Sequence, residues 1–179
     1  MSVSRHRQIG IILCCALLGS APRLFADSDA TDLGRIRPST LYLQDILAAG
    51  YRESAHFRRI VDRLVRAPVI VHVTPAPTLP FALMGGLHFV TAAGGYRYLR
   101  IALRMDVPPR QLIAALAHEL QHALEIADAP DIASDEALGR FYRARGERCR
   151  SLPRECYDTA AARAAGAAVY ADLHSPVVE

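Results

Sequence analysis

His118, Glu119 and His122 stand in the order H-E-x-x-H, within His118-Glu119-Leu120-Gln121-His122. On a helix of 3.6 residues per turn, side chains four apart lie about 40° apart around the axis. Both imidazoles can then reach one metal ion, and imidazole nitrogen suits zinc. Glu119 lies beside them, where a carboxylate can take a proton from metal-bound water. The chemistry implied is hydrolysis by metal-activated water.

A chance match of this pattern arises on the order of once in a hundred chains of this length, so its surroundings must be weighed. Asp106-Val107-Pro108-Pro109 reads as a helix start, with proline where a missing N–H costs nothing. Leu112, Ile113, Leu116, Leu120, Ala123, Leu124 and Ala127 then recur at helical spacing. The motif therefore sits inside a helix expected over Pro109 to Ala127. The bland alternative is a buried helix with two satisfied histidines, which burial of two His and a Glu without a partner makes costly.

Other elements must carry the remaining parts of such a site. Leu41 to Ala49 and Ser54 to Arg66 read as helices, with Gly50 as punctuation and Ser54 as an N-cap. Val69 to Val73 is a strand by its β-branched run. Leu87 to Val90 and Tyr98 to Leu103 are further strands, joined through Gly94-Gly95. Ser134 to Arg145 is expected as a short helix. Tyr157 to Leu173 is expected as a longer, alanine-rich one. His72 and His88 fall in strands and read as packed or surface histidines.

The chain has 179 residues, 51% of them hydrophobic, enough for one domain with a core over 27–179. Residues 1–26 read as a secretory signal peptide cleaved after Ala26, with Arg5 and Arg7 preceding the short apolar run Ile9 to Leu18. That makes the expected location periplasmic or secreted, with no stable membrane span after cleavage. Basic residues exceed acidic ones by 3, and Arg5, Arg7 and Arg23 all lie in the leader. The remainder is balanced, which gives no reason to expect nucleic acid as a partner. Cys149 and Cys156 remain, and in an oxidising compartment so close a pair is expected as a disulfide, with zinc ligation as its rival.

This order of elements resembles the minimal catalytic core of the zincin metallopeptidases, with residue-level identity at His118, Glu119 and His122. The resemblance implies an α+β fold. In it a small, mostly antiparallel three-stranded sheet packs on the H-E-x-x-H helix, with further helices before and after. It also implies Zn²⁺ held by His118 and His122, Glu119 as general base, and a peptide or protein substrate. The last strand before the active-site helix, here Tyr98 to Leu103, would be an edge that holds extended peptides. In the gluzincin branch the third ligand is an acid on a later helix, followed three residues on by a small residue. Asp158 with Ala161 fits that pattern, with Asp in place of Glu, and the alanines of that helix would let it come close. Glu155 is a second candidate. Asp128 is a third, at the metzincin spacing, although Glu125 stands where metzincins have glycine. Tyr157 and Tyr170 are candidates for stabilising an oxyanion. Among Arg140, Arg143, Arg145, Arg148, Arg150 and Arg154, one could bind a substrate carboxylate. A different class of function, a non-catalytic exported protein that binds zinc and peptides, has the same residue requirements except Glu119.

Overall fold

The computed structural model describes residues 33–80, 82–149 and 156–175, and the expected leader lies outside them. In chain order the elements are β1 (Ile36–Pro38), α1 (Leu41–Glu53), α2 (Ala55–Leu64), β2 (Val69–Pro75), β3 (Gly85–Ala93) and β4 (Tyr96–Leu103). They continue with α3 (Pro109–Ala127), α4 (Asp135–Arg145), β5 (Glu147–Arg148), β6 (Tyr157–Asp158) and α5 (Ala160–His174). The fold is α+β.

The sheet differs from the expected three-stranded antiparallel one. It has four strands in the order β1-β2-β4-β3, and both β1–β2 and β2–β4 are parallel. Only β3 and β4 pair antiparallel, through the Gly94-Gly95 turn, where both residues have positive φ (57° and 76°). That conformation costs glycine nothing and suits the twist of a tight hairpin. The hairpin inserts β4 beside β2 and leaves β3 at the edge. Tyr98 to Leu103 is therefore an inner strand, and the edge beside α3 is β3. A continuous apolar run such as Val69-Ile70-Val71 is what an inner parallel strand requires.

Val69, Val71 and Val73 of β2 and Leu99, Ile101 and Leu103 of β4 point to the helical layer and are inaccessible to solvent. Leu112, Leu116 and Leu120 of α3 join them in one core. Gly50 is not punctuation, since it lies inside α1 and is buried. A Cβ there would come within 2.9 Å of Ile113 Cγ2, so glycine lets α1 lie against α3. Buried Arg97, from β4, closes the other end of α3. Its guanidinium donates to the carbonyls of Ile126 (2.5 Å), Ala127 (3.1 Å) and Ala129 (2.8 Å). A cation on the last carbonyls satisfies acceptors that the helix cannot and complements its dipole.

Thr40, Ser54, Ser134 and Thr159 cap α1, α2, α4 and α5, each accepting a backbone N–H three residues on. Ser54 does more than cap. Its hydroxyl donates to Asp172 Oδ2 at 2.6 Å, and His56 N–H donates to the same oxygen at 3.1 Å. The His56 ring lies 3.0 Å from it, so α5 is tied to the start of α2. Burial opposes ionisation of Asp172, but these bonds outweigh it and hold its carboxyl down at about 2. Because the folded value lies below the unfolded one, the stabilisation is complete above about pH 4 and is lost as pH falls toward 2. We expect Asp172 to contribute about 2 kcal/mol in that window. In thermal melts, the stability gap between wild type and Asp172→Asn should shrink by that amount between pH 5 and pH 2. A gap that does not change with pH would refute it.

Candidate functional site

The site is built on the middle of α3. This helix is buried over most of its circumference, so its polar side chains can be tolerated only where they meet partners. His118 and His122 project from one face, their rings 5.0 Å apart by centroid and nearly perpendicular at 78°. His122 is the more enclosed, with the Tyr142 ring of α4 edge-on to it at 5.2 Å. Gly166 of α5 crosses α3 at this point. A Cβ on it would lie 3.3 Å from the Ala114 carbonyl oxygen and 3.4 Å from His118 Cβ. Small residues bring α5 onto the histidine face.

Asp158 is delivered by a route other than the expected one. It does not open the last helix but ends β6, just before the N-cap Thr159. β6 pairs with β5 in a ribbon, Glu147 opposite Asp158 and Arg148 opposite Tyr157. Two-residue strands hold little by themselves, and here the expected Cys149–Cys156 disulfide clips them, at a Cα separation of 5.3 Å. Asp158 Oδ1 then lies 3.3 Å from His118 Nε2 and 3.6 Å from His122 Nε2. One ligand atom from each of the three residues lies within 4.8 Å of the others. Asp128 is elsewhere, at the far end of α3, in an exposed ion pair with Arg63 at 2.9 Å. Glu155, like Arg150 and Arg154, lies outside the described residues.

A group that sequence reasoning passed over ties these side chains together. Glu125, one turn beyond His122, lies 2.9 Å from His122 Nδ1 through Oε2. Its Oε1 accepts the Thr159 hydroxyl at 2.6 Å, while the Thr159 N–H donates to Asp158 Oδ1 at 2.7 Å. Nδ1–H donates to Glu125, which fixes the ring so that Nε2 faces Asp158, the arrangement by which a carboxylate would orient a metal-ligating histidine. The i, i+3 spacing of His122 and Glu125 was the available signal.

The electrostatics favour positive charge here. Burial alone would lower His122, but hydrogen bonds to Asp158 and Glu125 raise it to about 9. Burial likewise opposes ionisation of Asp158, yet His118 and His122 hold its carboxyl far below the usual range. Glu125 is also lowered, because His122 and Thr159 donate to it despite its burial. Protonated His122 balances the two ionised carboxylates, and a bound cation would take over that role.

Glu119 behaves in the opposite sense. It is buried, and that burial raises its carboxyl against the pull of His122 and His118. Its room is made by Gly85 at the start of β3. A Cβ at Gly85 would fall 2.8 Å from both Cγ and Oε1 of Glu119, closer than Cβ atoms approach. Gly85→Ala should therefore displace the carboxylate. Since a misplacement of about 1 Å can cost 10²-fold, any turnover that depends on Glu119 should fall about 10- to 100-fold at equal zinc loading. Wild-type turnover in that variant would show that Glu119 does not need the space.

These groups face a cleft of about 1050 Å³. The edge strand β3 borders it through Gly85, Gly86, Leu87 and His88. His88 was expected to be an ordinary packed or surface residue. Tyr157 and Tyr170 both line the cleft, as does Arg163 of α5. Arg140, Arg143, Arg145 and Arg148 do not, and Arg145 instead lies over the Phe141 ring at 4.4 Å.

The donor set fits zinc. Ligands about 2.0–2.1 Å from a tetrahedral ion stand roughly 3.3 Å apart, close to the two nitrogen–oxygen separations here. Two imidazole nitrogens and one carboxylate oxygen would give such an ion three protein ligands, one fewer than structural zinc sites use. Comparison with protein-family models, with curated proteins and with solved structures finds no match to this chain.

Proposed function

We propose that the chain is a small zinc-dependent metallopeptidase of gluzincin type, exported by its N-terminal segment. The observation that carries this reading is the approach of His118, His122 and Asp158 to within 4.8 Å, beside the buried carboxylate of Glu119. Zinc held there supplies Lewis acidity, which acidifies water and polarises an amide carbonyl. His118, His122 and Asp158 hold the metal, and Glu125 fixes the orientation of His122. Glu119 accepts a proton from the attacking water and returns it to the departing amine. The edge of β3 offers backbone donors and acceptors to an extended peptide lying in the cleft. The cysteine pair suits an oxidising compartment, and no helix among the described residues is long and apolar enough to cross a membrane. This site departs from the gluzincin pattern in its third ligand, an aspartate on a strand instead of a glutamate on a helix.

The test uses the chain from residue 27, assayed for metal content and digested against a peptide library with and without chelator. One zinc per chain is expected, with cleavage that chelator stops and added zinc restores. Zinc bound without cleavage would make it a binding protein. A chain that takes up no zinc would overturn the reading.

A further inference from the structure

The H-E-x-x-H motif does not account for the one permanent cation that lines the cleft among the described residues. Arg163 lies in the first turn of α5, on the face that also carries Gly166, Ala167 and Tyr170 into the cleft. Its guanidinium stands 3.5 Å from Asp158 Oδ2 through Nη1 and 3.0 Å from Glu147 Oε1 through Nη2. These two partners are unlike. Asp158 is engaged by both histidines through its other oxygen. The Glu147 side chain is 77% exposed and that of Arg163 is 42% exposed, so this pair is a solvated one. Such solvated pairs contribute little, so an incoming carboxylate can replace Glu147 at little cost.

The Asp158 carboxylate stands between the guanidinium and the two histidines, with Oδ2 toward Arg163 and Oδ1 toward the rings. An extended residue spans about 3.3–3.6 Å, so an anion bound by Arg163 belongs to the first or second residue beyond the scissile bond. The ribbon that carries Glu147 also forms the wall here, with Cys149, Cys156 and Tyr157 lining the cleft.

We propose that Arg163 binds the C-terminal carboxylate of the substrate, and that the enzyme releases one or two residues from the C-terminal end of peptides. This rests on the peptidase reading above. The reaction is hydrolysis throughout. Water oxygen adds to the scissile carbonyl carbon, the C–N bond breaks, and the leaving amine takes the proton. In the resting protein, Glu147 is the stand-in for the substrate's carboxylate.

The test compares one acetylated tripeptide as free acid and as C-terminal amide, with zinc-loaded wild type, Arg163→Met and Glu147→Gln. Hydrogen bonds to charged groups suggest that wild type should prefer the acid by about 10- to 100-fold in kcat/KM. Arg163→Met should lose that preference mainly through KM, with its zinc content measured alongside. Glu147→Gln should keep or sharpen it. The wild-type acid-to-amide ratio decides the matter by itself, however the variants fold. Equal cleavage of acid and amide would overturn the role of Arg163 and leave the peptidase reading standing. A zinc-loaded wild type that cleaves neither form, in a library that also gives no products, would overturn both.

Discussion

Glu119→Gln is expected to keep its zinc and to lose turnover by about 10³-fold, within the range set by removal of a general acid–base group. Glutamine has nearly the same shape, so it can occupy the space that Gly85 leaves without disturbing α3. What it lacks is a basic oxygen able to take a proton from water and return it to an amine. His118, His122 and Asp158 do not use Glu119 to approach one another, since their contacts run through Nε2 and Oδ1. Metal content and turnover should therefore separate. Burial of Glu119 is already unfavourable to its charge, so the neutral amide should also leave the metal-free fold as stable or slightly more so. The measurement is zinc stoichiometry beside peptide turnover in the same preparation. Retained turnover would remove Glu119 from the chemistry.

Much of the local structure can be read from the sequence. The helix under the motif runs over Pro109–Ala127, the span its prolines and apolar spacing predict. The Gly94-Gly95 turn is where positive φ was needed. What local pattern does not contain is strand order. Val69–Pro75 pairs with a three-residue strand, Ile36–Pro38, too short to show a period, and with β4 in place of the intervening β3. Period and propensity describe a strand's faces, not its neighbours, so the sheet was expected in the wrong arrangement and the wrong edge was assigned.

The site divides in the same way. His118, Glu119 and His122 are legible because one helix carries them. Asp158 is legible as an acid at a suitable distance along the chain, but its setting is not. Two-residue strands have no period, and only the disulfide that clips them could be anticipated, from cysteine counting. Gly85 and Arg163 carry no local signal at all. The role of each depends on a side chain from another element, Glu119 for one and Asp158 with Glu147 for the other.

Asp158→Ala is expected to weaken zinc binding by more than 100-fold, beyond the roughly 10- to 100-fold that loss of a supporting partner behind a ligand costs. The variant leaves two imidazoles and no anionic donor, while Glu125 still orients His122. The fold should tolerate it. Thr159 loses an acceptor for its N–H, but its hydroxyl still accepts from Ala162 and caps α5. Arg163 keeps Glu147. Asp158→Glu should weaken zinc binding less than alanine does. A glutamate oxygen reaches further than the β6 backbone position was set to require, so it would crowd the two Nε2 atoms. Asp128→Ala should change nothing at the metal, because that carboxylate pairs with Arg63 on the surface. Glu155→Ala completes the set, since Glu155 is the remaining candidate for the third ligand. Competition with a chelator of known affinity measures all four. If Asp158→Ala binds zinc as wild type does while Glu155→Ala does not, the third ligand is Glu155. The approach of Asp158 to the histidines would then be an ion pair alone.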